Sequence, residues 1–137
     1  MQSNDELCLQ TIKDSIDKIV QYTVGIKSYR QFIKDDKSIY ACLMQLINIG
    51  ETVGRLSEEI TSDESAIEWR KIRGLRNILA HDYFGVDHRE IWSIISIHIP
   101  TLKKVVEGFL EWYLWGYAAN VSSSSCVATL VYQCCYR

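Results

Sequence analysis

Within eight residues, the stretch Arg76-Asn77-Ile78-Leu79-Ala80-His81-Asp82-Tyr83 gathers three kinds of reactive side chain. Arg76 is a permanent cation that grips phosphate, His81 exchanges a proton near neutral pH, and Tyr83 offers a phenolic nucleophile or acceptor. On a helix, at about 100° per residue, Asn77 and His81 share a face while Arg76, Ala80 and Tyr83 form the adjoining stripe. Arg76 and His81 are five positions apart, about 140° around the axis, so one straight helix cannot aim both side chains at one atom. Either the helix loosens near His81, or a second copy of the chain supplies the missing half across a two-fold axis. Ala80, between the polar groups, is small enough to let a substrate or partner backbone approach. The ordinary alternative is a solvated arginine and histidine at the border of a helix.

What must position these residues is bounded by length and composition. The 137 residues, 47% of them hydrophobic, suffice for one domain with one core. A formal charge of −2 gives no global basic field, so contact with nucleic acid has to come from a local patch. Arg70, Lys71, Arg73 and Arg76 supply one, although on charge alone they also fit a solvated helix face. Five cysteines without metal-type spacing, two of them (Cys8 and Cys42) inside helical apolar patterns, argue against a disulfide framework. The polar N-terminus lacks the features of a signal peptide, and no apolar run reaches membrane-spanning length. A soluble cytoplasmic protein, with no membrane partner, is the expectation.

The helices read from apolar spacing. Ser3 and Glu6 fit a capping box, after which Leu9, Ile12, Ile16, Ile19 and Thr23 recur at three and four until Gly25 offers a stop. Residues 26–36 read as a connector whose Tyr29 and Phe32 pack back on the bundle. Ile39, Cys42, Leu46, Ile49, Val53, Leu56 and Ile60 then predict one long core helix, within which Gly50 and Gly54 suit close helix contact. Thr61-x-x-Glu64 and Ser65-x-x-Glu68 are both capping boxes, and a third helix is expected over 65–81 with Trp69, Ile72, Leu75 and Leu79 inward. Arg73, Asn77 and His81 face away, which puts the chemistry on the rim of the core. Gly85 permits a turn and Asp87 a cap for a fourth helix, whose inward row is Ile91, Ile95, His98, Leu102, Val105, Phe109 and Trp112. On that row His98 is expected to be buried or between subunits, and Pro100 to kink the helix.

These elements predict an all-α, up-down bundle of four to five helices over residues 1–115, followed by an atypical tail over 116–137. The tail has serine-rich low complexity and then strand-like composition without a partner strand, and is assigned no function. His81, Asp82, Asp87 and His88 cluster in sequence but lack the i, i+4 His-Glu pattern of helical zinc sites, so no metal and no cofactor are expected. Glycine-rich phosphate loops are absent, and no serine is paired with a recognisable base.

Arg-x4-His-x-Tyr, read as Arg76, His81 and Tyr83, resembles the signature of the HepT branch of the HEPN-domain ribonuclease toxins. The likeness spans about residues 5–112 and takes in Ile49-Gly50-Glu51, Trp69, Ile72, Asn77, Asp82, Val86-Asp87 and Ile91-Trp92. The resemblance implies metal-independent cleavage of RNA to a cyclic phosphate, in a cleft made by a homodimer. It gives catalytic roles to Arg76, His81 and Asn77, places Glu51 near the intersubunit cleft with Arg73 and Glu51 as substrate-binding residues, and makes Tyr83 the acceptor of AMP. The AMP donor is a minimal nucleotidyltransferase antitoxin of the MntA type, in a type VII-like toxin–antitoxin pair. An alternative is a non-catalytic helical binding subunit of a nucleotidyltransferase complex, with Arg76 and His81 serving as an anion site only.

Overall fold

The computed structural model describes residues 4–62, 65–82 and 85–119, with side chains as far as residue 116. Helix α1 (Asn4–Tyr22) carries Asp5 and Glu6 in its first turn, where carboxylates offset the exposed amide dipoles. The capping partner expected at Ser3 lies outside the described residues. Leu9, Ile12, Ile16 and Ile19 are fully buried, as their spacing requires. Gly25 takes the left-handed conformation (φ 84°) that ends the turn after α1. The connector contains a single helical turn, α2 (Tyr29–Phe32), capped by the Ser28 side chain. Its aromatics do pack back: Phe32 is buried with its ring 5.1 Å from that of Trp92, and the Arg89 guanidinium lies 4.9 Å from the Tyr29 ring.

Helix α3 (Asp36–Val53) is capped by Asp35, whose carboxylate accepts from the Ser38 amide at 3.2 Å and from its hydroxyl at 2.6 Å. It stops at Val53, short of the Ile60 that the apolar period suggested, and a separate turn α4 (Glu58–Thr61) follows. Leu56 and Ile60 are nonetheless buried. Gly54, a poor helix former, stands at the break, and the N-terminus of α1 receives the chain there. Asp5 accepts from the Ser57 amide at 2.9 Å and Asn4 donates to the Arg55 carbonyl at 3.4 Å. The apolar spacing registered which residues face inward and was blind to the bend between them.

Helix α5 (Trp69–His81) also starts later than expected. Ile67 is buried, and the Trp69 amide bonds to its carbonyl at 3.0 Å, so the chain makes a turn before the helix begins. Glu68 occupies the cap position without a side-chain cap bond. The alternative box at Thr61 needs Glu64, outside the described residues. Trp69 and Leu79 are buried and Ile72 and Leu75 pack partly buried against the core.

Helix α6 (His88–Ser93) is capped by Asp87, which accepts from the Arg89 amide at 2.8 Å. It continues through a π-helical segment, Ile94–His98, into α7 (Ile99–Ala119). The expected effect of Pro100 therefore takes the form of a widened turn. Pro100 has no amide to donate and its ring crowds the turn before it, and the Ile99 amide bonds back to Ile94 across five residues. The wider turn slips the inward face by one position. Buried residues run Ile91, Ile95, Ile99, Leu102, Val106, whereas His98 is exposed and Trp112 is 51% exposed. Trp112 had been expected inside, and of the two places expected for His98, buried or between subunits, the first is excluded. α7 runs through Gly116 to Ala119, and the rest of the tail expected over 116–137 lies outside the described residues.

Helix α3 packs between α1 and α5, and α7 packs on α1. Across the α1–α7 seam Asp17 accepts from Lys103 at 2.9 Å, and it also accepts from Lys13, one turn earlier on α1, at 2.9 Å. The molecule is thus the all-α bundle that the helical periods predicted, with no strand among the described residues. None of its described helices is long and apolar enough to cross a membrane.

Candidate functional site

The α3–α5 contact fixes where the reactive residues stand. At Gly50 a Cβ atom would overlap the Cβ of Arg76, so only glycine lets the two helices close at this height. With the helices that close, Arg76 reaches across and its Nη2 donates to Glu51 Oε1 at 2.9 Å. Nη1 of the same guanidinium donates to Asn77 Oδ1 at 3.1 Å. The third nitrogen, Nε, is buried and has no partner among the described residues. The guanidinium therefore presents its Nη1–Nη2 edge outward, steadied at both ends.

His81 is the last residue of α5, exposed, with Asp82 as the first non-helical position (φ −129°, ψ 63°). The helix stays regular through His81, so loosening inside α5 does not bring the imidazole round toward Arg76. The two side chains keep the separation of about 140° that five residues of α-helix dictate. No hydrogen bond or ion pair joins them among the described residues. Tyr83 lies outside the described residues.

The basic patch is narrower than its sequence suggested. Arg70, Arg73, Asn77 and His81 follow the three-four spacing along one exposed stripe of α5, with Arg76 beside it. Lys71 turns to the opposite side, where it pairs with Glu68 at 2.7 Å. Arg73 reaches back to the Val53 carbonyl at 3.4 Å, over the C-terminal end of α3, where a cation is favoured. Glu51 was expected near a substrate or partner, and here it touches Arg76. Sequence reasoning marked Gly50 for close helix contact, which the structure shows, but did not identify Arg76 as the residue packed against it.

A second concavity of about 530 Å³ lies on the other side of α5, lined by Leu46, Ile49, Ile72, Leu75, Ile94 and Leu102 among others. It is mostly apolar and holds His98, Lys71 and Glu68 at its margin. Arg76 and His81 do not line it, so it is separate from the reactive stripe. Among the described residues no three His, Cys, Asp or Glu side chains group as a metal site would.

Fold and stripe define a small all-α protein that displays an arginine, an amide and an imidazole along the rim of one core helix. The family described as Ribonuclease HepT-like matches residues 12–109, and the chain belongs to that family. A relative from Caldanaerobacter subterraneus subsp. tengcongensis, which carries a provisional RNase name, is 36% identical over 103 residues, covering 75% of this chain and 91% of its own. Another with a provisional RNase name, from Methanocaldococcus jannaschii, is 33% identical over 99 residues, covering 72% and 90%. A third, from Thermococcus cleftensis, is provisionally named ribonuclease HepT and is 33% identical over 95 residues, covering 69% and 86%. No solved structure gives a significant match.

Proposed function

We propose that this chain is a metal-independent endoribonuclease, the toxin of a type VII-like toxin–antitoxin pair, acting in the cytoplasm as a homodimer. The observation that carries the reading is the arginine itself. Arg76 is held on the rim of α5 with one guanidinium edge outward, and it stands five residues before an exposed histidine in a chain of the HepT-like ribonuclease family.

In this reading His81 takes the proton of a ribose 2′-hydroxyl as its oxygen attacks the adjacent phosphorus. The bond from phosphorus to the 5′-oxygen breaks, that oxygen takes a proton from water as it leaves, and His81 returns its own proton to solvent. The products are a 2′,3′-cyclic phosphate and a free 5′-hydroxyl. A positioned acid–base group of this kind typically contributes about 10²–10⁴-fold in rate. Arg76 holds the phosphate and offsets the charge that grows on its non-bridging oxygens. Asn77, its Oδ1 already bound to Arg76, keeps the donors of its amide nitrogen for the phosphate. Arg70 and Arg73, on the same stripe, are placed to meet neighbouring phosphates of the strand. Because α5 keeps Arg76 and His81 on different sides of one rod, the reading requires two copies, each lending what the other cannot aim.

Tyr83, two residues beyond His81, is the control point. Its phenolic oxygen attacks the α-phosphorus of ATP in the antitoxin's active site, pyrophosphate leaves, and AMP remains on the tyrosine. The added bulk and negative charge then stand beside a site built for an anion.

The test is cleavage of RNA by purified protein in the presence of chelator. Activity that is lost in both Arg76→Ala and His81→Ala supports the nuclease. Absence of cleavage, with binding to a nucleotidyltransferase partner retained, supports a binding subunit instead. Mass spectrometry of chain co-produced with that partner tests the control point: an unmodified Tyr83 with toxicity still suppressed rejects it.

A further inference from the structure

Glu51 is the feature of the site that phosphate chemistry does not call for. A carboxylate in a cleft for RNA repels its substrate, yet this one sits on the very nitrogen that faces out. Glu51 Oε1 is 2.9 Å from Arg76 Nη2, and both side chains are partly open to solvent, at 40% and 36% exposure. Three facts give the contact meaning. Nε of Arg76 is buried, so the side-on fork of Nε and Nη2 is closed to a phosphate. Nη1 is tied to Asn77, so the remaining freedom of the guanidinium is rotation of its outer edge. Gly50, next to Glu51 on α3, is what brings Arg76 within reach.

We infer that Glu51 is a positioning residue for Arg76: it fixes the outward edge of the guanidinium in the pose that stabilises the reacting phosphate, and it partly neutralises that cation until RNA is bound. The inference rests on the ribonuclease reading above and concerns regulation of the same site. Its consequence is a division of labour. Fixing the edge raises the rate of the chemical step, because a guanidinium already oriented needs no ordering as charge develops. Sharing the cation with a carboxylate weakens ground-state binding of RNA, because phosphate must compete for Nη2. Glu51 therefore raises kcat and also raises KM, the opposite of a residue that holds substrate.

The experiment compares Glu51→Gln, Glu51→Ala and Arg76→Ala with the wild-type dimer, measuring kcat and KM on a short single-stranded RNA alongside the thermal midpoint of each variant. Glutamine keeps an oxygen acceptor for Nη2 and removes the charge, so Glu51→Gln is expected to lower KM several-fold and retain most of kcat. Alanine removes the anchor, and Glu51→Ala is expected to lose about ten- to a hundred-fold in kcat with KM unchanged or lower. The inference is overturned if Glu51→Ala raises KM, which makes Glu51 a substrate contact, or if its kcat equals that of wild type. It is equally overturned if alanine and glutamine variants lose kcat alike and in step with their thermal midpoints. Failure of the underlying reading looks different: wild type does not cleave, or Arg76→Ala cleaves as wild type does.

Discussion

Single residues differ sharply in what their surroundings allow them to do. Cys42, a core residue of α3, is fully buried and has its thiol pushed up to about 11 by burial, with the Asp35 carboxylate adding to the shift. Thiolate is the reactive form, so at pH 8 Cys42 is held almost wholly as the inert thiol. Peptide mapping after brief alkylation of native protein should find Cys42 unmodified and find it labelled once urea is added; rapid native labelling would mean the core around α3 opens readily. Arg76, by contrast, combines a closed inner nitrogen with an exposed outer edge. Its identity and approximate neighbours were legible in the sequence, because Arg-x4-His-x-Tyr is a local pattern. Its anchor was not, because Glu51 lies 25 positions away and only the α3–α5 contact joins them.

Helices were legible where burial is periodic and became illegible where the backbone changes direction without changing the period. α1 matched its apolar row through Ile19. The α3–α4 break kept Leu56 and Ile60 inward, so its spacing concealed the bend. The π-helical turn before Pro100 did the reverse, keeping a continuous rod and shifting the inward row, so that His98 and Trp112 came out and Ile99 and Val106 went in. Two predictions belong to these contacts. Gly50→Ala places a methyl group on the Cβ of Arg76, and forced overpacking of this kind costs about 1–3 kcal/mol. Urea unfolding should show that loss, and RNA cleavage should fall further than stability does, since the same shift moves Arg76 off its pose; an alanine variant as stable and active as wild type would refute the close approach. The α1–α7 seam depends on pH. Hydrogen bonds from Lys13 and Lys103 hold the Asp17 carboxyl below its usual range. A carboxyl lowered in the folded state stabilises above its unfolded value near 3.8, and that contribution fades as pH falls through the folded one. Asp17 is 41% exposed, so the contribution is screened and amounts to no more than about 1 kcal/mol. Asp17→Asn should therefore unfold earlier in urea at pH 7, and its deficit should shrink as the pH is taken progressively below 3.8.

For the molecule as a whole, the decisive question is whether one chain contains a complete site. α5 remains helical to His81, with Asp82 the first residue to leave it, and no described contact brings the imidazole to the guanidinium. If each site takes Arg76 from one protomer and His81 from the other, two inactive variants can repair each other. In an Arg76→Ala/His81→Ala heterodimer one site receives both substitutions and the other receives neither. Equal amounts of the two variants, unfolded together and refolded, give half of the dimers as this hybrid, each with one intact site of two. Cleavage should then recover to about a quarter of the wild-type rate, a value set by symmetry and not by fitting. A site confined to one protomer predicts no recovery, because each chain carries one defect wherever it is paired. Size-exclusion chromatography of the refolded mixture confirms that dimers formed, so silence from a correctly assembled hybrid would reject sharing between subunits. Arg76 and His81 would then have to meet through unwinding of the last turn of α5, at whose end Asp82 leaves the helix.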